Sequence, residues 1–502
     1  MHDQGFDEVA DVVVIGLGAA GAAAAISART EGARVLVVEK CPSEIAGGNT
    51  RVTGGGWFIN SDPDRAKTYL RSLCGVRRVP DDVVTTWASE TAMNSRWLRD
   101  IGADVKPNPH FHATPEFYEH EGSDCYGGMD TIGGELGNGR LHQFLTSAVN
   151  RAQIDVWYES PATDLILDGD RSVVGVEVAS RGELIRIRAR GGVVLATGGF
   201  AANDTMVHDF LGVEGHVLWG SPHNTGDGHH LAMRAGADLW HMDNMMSITG
   251  IDVGDKTGLL LYPALANNFV FLGRDGRRFM DESLPNRHGH VSRNGQEELF
   301  PKSPFFMVFD EEFRNAGAVA PGLDTMQVGW KLLMERHQWS PDNSAEIERG
   351  LIVRAESIEE LAPSLGIDAA TLVTSIAMYN NACDARRDDH FGRRSDSLGA
   401  VRTPPFYALT VSPLLGWSDG GPRRDGRARV VDTRGEVISG LYAAGELSAT
   451  YSWNKDGGFH IADALAFGRV AGREAASAAE DFAAEDGKPA LASAGGAHRT
   501  TV

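Results

Sequence analysis

The sequence predicts an α/β fold that opens on a parallel-strand unit, and three observations predict it. A short apolar run, Val12-Val13-Val14-Ile15, ends in a glycine. An alanine-rich stretch from Ala22 to Thr30 follows. A second apolar run, Val35-Leu36-Val37-Val38, then closes on an acidic residue, Glu39. Short apolar runs bounded by turn formers read as strands buried on both faces, as parallel sheets require.

Taken in order, Asp11 to Gly16 is a strand running into a turn, and Gly16-Leu17-Gly18-Ala19-Ala20-Gly21 has the G-x-G-x-x-G spacing. In a Rossmann-like unit the three glycines serve a tight turn, close approach of backbone to a pyrophosphate, and close helix–strand packing. The helix that starts there offers unpaired N–H groups and a positive dipole end to phosphate. Gly32 ends the helix. Glu39 then stands where it can accept from both ribose hydroxyls of an adenosine and would repel a 2′-phosphate. These residues leave FAD and NAD both open. The next segment favours FAD: Lys40 leads into Gly47-Gly48-Asn49-Thr50 and Thr53-Gly54-Gly55-Gly56, two glycine–hydroxyl clusters. Such backbone lets a flat ring and a ribityl chain lie against main-chain donors.

Read together, the glycine turn, Val35 to Lys40, Gly47 to Thr50 and Gly54 to Gly56 resemble the opening of the fumarate reductase/succinate dehydrogenase flavoprotein superfamily. The resemblance implies that Gly16, Gly18, Ala19, Ala20, Gly21, Glu39, Lys40, Gly48, Asn49, Thr50, Gly54 and Gly55 contact FAD. It continues in Gly191 to Phe200, where Ala196, Thr197 and Gly198 end a strand, and in Asn224-Thr225-Gly226-Asp227-Gly228 before a helix. Gly440 to Glu446 matches the family's last strand and turn, with Gly445 at the corner and Glu446 reaching the ribityl chain. Gly457-Gly458-Phe459-His460-Ile461 opens an alanine-rich helix, with Gly458 and Ile461 as flavin contacts. Covalently flavinylated members carry a histidine in the segment that here runs from Lys40 to Asn60, and this sequence has none there. Non-covalent FAD is the implied state.

The order of these landmarks implies a Rossmann-like FAD-binding domain that is discontinuous, with an α+β capping domain inserted. The expected boundaries are 1–235 for its first part, 236–402 for the cap and 403–479 for its second part, with a disordered tail at 480–502. Arg274 to Glu282, with Asp275-Gly276 at its turn, resembles the family's cap hairpin.

In this superfamily the substrate lies between cap and flavin, and hydride passes between N5 and a substrate carbon. Carboxylate-binding members hold their substrate with histidines and arginines; ketosteroid dehydrogenases use tyrosines and a backbone N–H. At the family's H-T-x-G-G this chain has Trp417-Ser418-Asp419-Gly420-Gly421, and at N-R-x-G-G it has Asn454-Lys455-Asp456-Gly457-Gly458. Lysine lacks the arginine fork. The cap's usual His-Pro has only the apolar Met245-Met246-Ser247-Ile248-Thr249 near it. Arg287 takes the place of the proton-donating arginine only if its loop is one residue longer, and the cap tyrosine is replaced by Asn286. The ketosteroid type therefore fits better, with Tyr451 and Tyr118 as candidates for the α-proton and the Gly457 N–H for the enolate oxygen. Trp453 holds the family's tyrosine position by strict spacing.

Bulk properties exclude other classes. The formal charge is 47 − 68 = −21, which repels nucleic-acid phosphate. Four cysteines without C-x-x-C spacing read as reduced thiols, an acidic N-terminus lacks a signal-peptide n-region, and no apolar run approaches the ~20 residues of a bilayer span. A cytoplasmic protein is expected. His288 and His290, two apart and without acidic neighbours, read as loop residues or substrate contacts, so no metal is expected. The leading reading is a FAD-dependent dehydrogenase or ene-reductase of an apolar cyclic, steroid-like ketone, with an electron partner of unknown identity. The alternatives are reduction of an unsaturated carboxylic acid, with Arg287 as proton donor and Lys455 as anion clamp, and a non-catalytic FAD-binding subunit.

Overall fold

The computed structural model describes residues 5–109, 114–254, 256–261, 266–284, 287–293, 295–320 and 338–485. The chain divides into two compact units. The first comprises Met1–Asn203, Ser221–Asn244 and Ser418–Val502; the second comprises Asp204–Gly220 and Met245–Trp417.

The first unit is built on the predicted strand–helix–strand. Strand β1 (Glu8–Ile15), helix α1 (Ala19–Thr30) and strand β2 (Val35–Val38) form in sequence. The strands pair in parallel, Val12 opposite Val35 and Ile15 opposite Val38. Among the described residues these strands belong to an eight-stranded sheet. Its main path runs Arg429–Val431, Val437–Ala443, Glu183–Leu195, β1, β2, Asp155–Trp157. All neighbours on that path are parallel except the first pair. Every residue from Val12 to Val14 is fully buried, which is why the run carries no polar alternation.

Helix α1 packs along the long helix Phe459–Glu485. The crossing is close because both faces are small. A methyl added at Gly468 would come 2.4 Å from the Ala20 carbonyl oxygen, and one at Gly472 would come 2.2 Å from that of Ala24. The alanine richness of both segments is thus a packing requirement as well as a helix preference.

In the second unit the strand Phe406–Ser418 is the hub of a seven-stranded sheet among the described residues. It pairs with Phe305–Asp310 and Ile352–Ala355 antiparallel and with Val217–Leu218 parallel. An aromatic core, including Phe269, Phe271, Phe305, Phe309 and Phe313, covers one side. The expected cap hairpin is present: Phe269–Leu272 turns through Gly273 to Arg277, with Gly273 N–H donating to the Arg277 carbonyl and Gly276 at a φ of +77°.

The division of contacts departs from the expected boundaries in three places, each for a pairing reason. Residues 204–220 join the second unit because Val217–Leu218 adds to its hub strand. Residues 236–244 stay with the first because Leu239–Trp240 pairs with Gly421–Pro422. Residues 403–417 belong to the second unit because they contain most of the hub strand itself. The segment expected to be disordered from Glu480 is helical through Glu485, as the long helix continues. Residues 486–502 lie outside the described residues, as do Pro285 and Asn286.

Candidate active site

The glycine turn has the form a dinucleotide needs. Gly16 sits at a φ of +98°, and a side chain there would meet the Ala196 carbonyl oxygen at 2.5 Å. A methyl at Gly21 would lie 1.9 Å from the Gly16 carbonyl oxygen, so turn and helix can close only with both glycines. Helix α1 then starts at Gly18 with no side-chain cap and no acidic residue in its first turn. A helix N-terminus that opens on glycine lets an anion approach its N–H groups. Thr50 Oγ1 accepts from the Ala19 N–H at 2.9 Å and so fixes Ala19 and Ala20 beside it.

Glu39 is buried beside this turn. Its carboxylate accepts from the Leu17 N–H and the Cys41 N–H, each at 2.9 Å, which holds it in place with lone pairs to spare. Lys40 turns the other way: its Nζ donates to Thr225 Oγ1 and to Asp227 Oδ2, both at 2.7 Å. Asp227 opens the helix Asp227–Ala235, so Lys40 ties the second strand to that helix.

A second cluster surrounds Glu446. Asn49 Nδ2 donates to Glu446 Oε2 at 2.7 Å, and Asn49 Oδ1 accepts from the Ser221 N–H at 2.7 Å. Gly48 begins the short helix Gly48–Val52 that carries Asn49. A methyl at Gly199 would lie 2.2 Å from Glu446 Oε1, so the carboxyl lies directly on the Ala196 to Gly199 corner. Glu446 keeps an accessible rim, yet enclosure by protein pushes its pKa from 4.5 up to about 8, with the Asn49 hydrogen bond opposing. Thr197 Oγ1 is buried in the same corner without a hydrogen-bond partner. A buried hydroxyl of this kind calls for one. Gly445 takes a φ of +77° and Gly458 one of +79°. The Gly54 carbonyl accepts from the Gly137 N–H, Gly55 backs on Leu141, Gly198 turns against Asn224, and Ile461 is half-buried on the core. A helix end whose N-cap is a glycine, a buried carboxylate fixed by two backbone N–H groups and a buried hydroxyl without a partner among the described residues fit FAD.

The proposed proton-handling residues fare differently. Tyr451 is fully buried; its hydroxyl donates to the Phe459 carbonyl at 2.6 Å and accepts from Trp87 Nε1 at 3.0 Å. Burial pushes its pKa well above the ordinary value, and both hydrogen bonds commit the hydroxyl to the core. Tyr118 is exposed at 72% and stands in the turn region before Ser123. The Gly457 N–H donates to Asp456 Oδ1 at 2.8 Å, which occupies the donor expected for an enolate. Asp456 in turn accepts from Tyr69, and burial beside Glu116 lifts its pKa to about 6. In the second unit Arg287 forms a backbone bridge with His290, and the His288 ring lies 5.9 Å from that of Trp417. Among the described residues no three His, Cys, Asp or Glu side chains gather as metal ligands.

Lys455 is where sequence reasoning fell short. Its Nζ lies 2.8 Å from Asp419 Oδ2, and both side chains are wholly buried. His460 Nε2 lies 2.9 Å from the other oxygen, Asp419 Oδ1. Burial alone would raise the Asp419 pKa, but the Lys455 ammonium and the hydrogen bond with His460 outweigh it and hold the carboxylate ionised. The sequence singled out neither Asp419 nor His460 as a partner of Lys455. The only signal was their place beside the glycine pairs Gly420-Gly421 and Gly457-Gly458.

Residues 11–465 match the family described as FAD binding domain. A probable fumarate reductase of Shewanella frigidimarina is 26% identical over 95% of this chain and 76% of its own length. A 3-oxosteroid 1-dehydrogenase of Mycobacterium tuberculosis is 27% identical over 92% of this chain and 97% of its own. In fold, the chain is similar to the crystal structure of a 3-ketosteroid Δ1-dehydrogenase from Sterolibacterium denitrificans, with a TM-score of 0.74 at 23% identity, covering 94% of this chain and 100% of that one. Among the described residues no helix is long and apolar enough to cross a membrane. With its glycine turn, the buried carboxylate of Glu39 beside it and this match over most of its length, the chain belongs to the FAD binding domain family and is a FAD-dependent oxidoreductase.

Proposed function

We propose that the chain moves a hydride between flavin N5 and a carbon–carbon bond α,β to a carbonyl, on an uncharged cyclic, steroid-like ketone. Bound FAD supplies the two-electron acceptor or donor. Glu39, Lys40, Asn49, Thr50, Asp227 and Glu446 are the residues that would hold it.

The observation that carries the substrate class is the pairing of Lys455 with Asp419. A lysine clamp for a substrate carboxylate needs an unspent positive charge. Here the nearest anion is already built in, at 2.8 Å and out of water. A second carboxylate would compete with Asp419 for the same ammonium and would sit beside its negative charge, which is costly in a site of low dielectric. A ketone oxygen meets no such repulsion. The apolar Met245-Met246, where the resemblance expects a His-Pro, supports the same reading. So does the likeness to the 3-oxosteroid 1-dehydrogenase.

A second reading, reduction of an unsaturated carboxylic acid with Arg287 as proton donor and Lys455 as anion clamp, draws support from the probable fumarate reductase. An anaerobic screen separates the two. Oxidised protein is mixed with 4-androstene-3,17-dione, and reduced protein with fumarate, while the visible flavin absorbance is followed. Bleaching by the ketone upholds the proposal; rapid recolouring by fumarate with no response to the ketone overturns it.

A further inference from the structure

We infer that His460 is the proton-transferring residue of this reaction, with Asp419 as its positioning residue and Lys455 as the charge that balances Asp419. The inference rests on the proposed chemistry beside a carbonyl.

Three features of the cluster carry it. Asp419 pairs through both oxygens, one with Lys455 Nζ at 2.8 Å and one with His460 Nε2 at 2.9 Å, so one imidazole nitrogen faces the carboxylate. Accessibility is graded along the chain of groups. Lys455 and Asp419 expose nothing, whereas the His460 side chain keeps 18% of its surface accessible. The open end of the cluster is therefore the imidazole. Its place in the chain is the third feature: His460 is the second residue of the helix Phe459–Glu485, directly after Gly457-Gly458, within the segment matched to the family.

The charges suit the chemistry. Lys455 at +1, Asp419 at −1 and a neutral imidazole sum to zero, and the group becomes cationic on taking a proton, as negative charge develops on the carbonyl oxygen. Burial lowers the His460 pKa and Asp419 opposes that, which keeps an unprotonated imidazole available near neutrality. Asp463, one turn along the same helix and itself paired with Arg424, and the Tyr451 ring, edge-on at 5.0 Å, also face it. Tyr451 gives no proton path, because its hydroxyl is committed to Phe459 and Trp87.

In the oxidative direction the α C–H bond breaks and its proton goes to a nitrogen of His460. The electron pair left behind becomes the second bond of the new C=C. The β C–H pair leaves as hydride to the oxidant, bound FAD, which gains two electrons. Reduction runs the same steps backwards.

The test uses holoenzyme and two readouts. The first is exchange of the α-protons of 4-androstene-3,17-dione in D2O by anaerobically reduced protein, where hydride cannot leave and only the proton step is seen. His460→Gln is expected to retain FAD and its visible spectrum but to lose exchange by a factor of about 10² or more. The second is the titration midpoint of His460 by nitrogen-15 NMR, assigned by its absence in His460→Gln. Asp419→Asn is expected to lower the midpoint and Lys455→Met to raise it, because they remove opposite charges; should the lysine variant fail to fold, the asparagine variant decides. Undiminished exchange in His460→Gln overturns the inference. A wild-type protein that neither exchanges nor oxidises the ketone overturns the ketone reading instead. The titration then decides the cluster: a midpoint that moves upholds it, and one unmoved in Asp419→Asn overturns it.

Discussion

Lys455 Nζ lies 2.8 Å from Asp419 Oδ2, with neither side chain accessible to solvent. That pair changes what the lysine can do. On the ketone reading, a buried cation with its own buried anion serves as a fixed dipole and not as a clamp for an incoming carboxylate. Breaking it from one side leaves a lone buried charge. Asp419→Leu is therefore expected to destabilise the protein by about 3–5 kcal/mol. Urea unfolding of the variant beside wild type checks this; a loss below about 1 kcal/mol would mean that the pair is solvated.

The cofactor is expected to be FAD held without a covalent bond, since no histidine lies between Lys40 and Asn60. Purified protein should be yellow and should release its flavin into the supernatant on acid or heat precipitation. Colour that stays with the pellet would contradict this.

Glu39 accepts from the Leu17 and Cys41 N–H groups and so presents its remaining lone pairs in one direction. Glu39→Ala should weaken FAD binding by about 1.5–3 kcal/mol, the range for hydrogen bonds to a charged group. Gly18→Val should be worse, because a branched side chain would fill the approach to the helix end. Fluorescence titration of apoprotein with FAD gives both values, and unchanged affinity in both variants would place the nucleotide elsewhere.

Tyr451→Phe should leave flavin reduction within a few-fold of wild type. It removes hydrogen bonds to Phe459 and Trp87, so a stability loss of about 1 kcal/mol is expected. Rapid mixing and thermal melts on one preparation measure both quantities. A large kinetic loss at unchanged stability would restore the tyrosine as the base.

The Glu446 carboxyl is raised in the folded state from 4.5 to about 8, chiefly by burial. A raised acid binds its proton more tightly when folded. Its stabilising contribution is thus complete below pH 4.5 and is lost as pH rises towards 8. Apoprotein stability should fall across that window by up to about 1.4 kcal/mol per pH unit from this group, and Glu446→Gln should flatten the fall. Urea unfolding at pH 5 and pH 8 checks the slope; identical slopes in both proteins would contradict it.

The parts of this fold that were legible in the sequence are those fixed by short-range rules. The run Val12 to Ile15, the spacing of Gly16, Gly18 and Gly21, and the acid at Glu39 are dictated by local backbone geometry, so a linear reading finds them. The unit boundaries depend on strand pairing between distant segments. The run Phe406 to Trp417 is apolar enough to serve either unit, and only its partners Phe305–Asp310 and Ile352–Ala355 decide. The same limit hid the cluster at Asp419. A turn residue before Gly420 and a helix-opening histidine at 460 meet only in the folded chain. Tyr451 misled for the converse reason, since Tyr-Ser-Trp has no periodicity to reveal that its first ring points into the core.

In the proposed function the site takes an uncharged ketone and not a carboxylate. Flavin difference spectra of oxidised holoenzyme at pH 7, titrated separately with 4-androstene-3,17-dione and with fumarate, test it most directly. The expected result is a saturable perturbation with the steroid at a Kd at least about tenfold lower than with fumarate, a difference of about 1.4 kcal/mol. Tighter binding of fumarate, weakened by Lys455→Met, would contradict it.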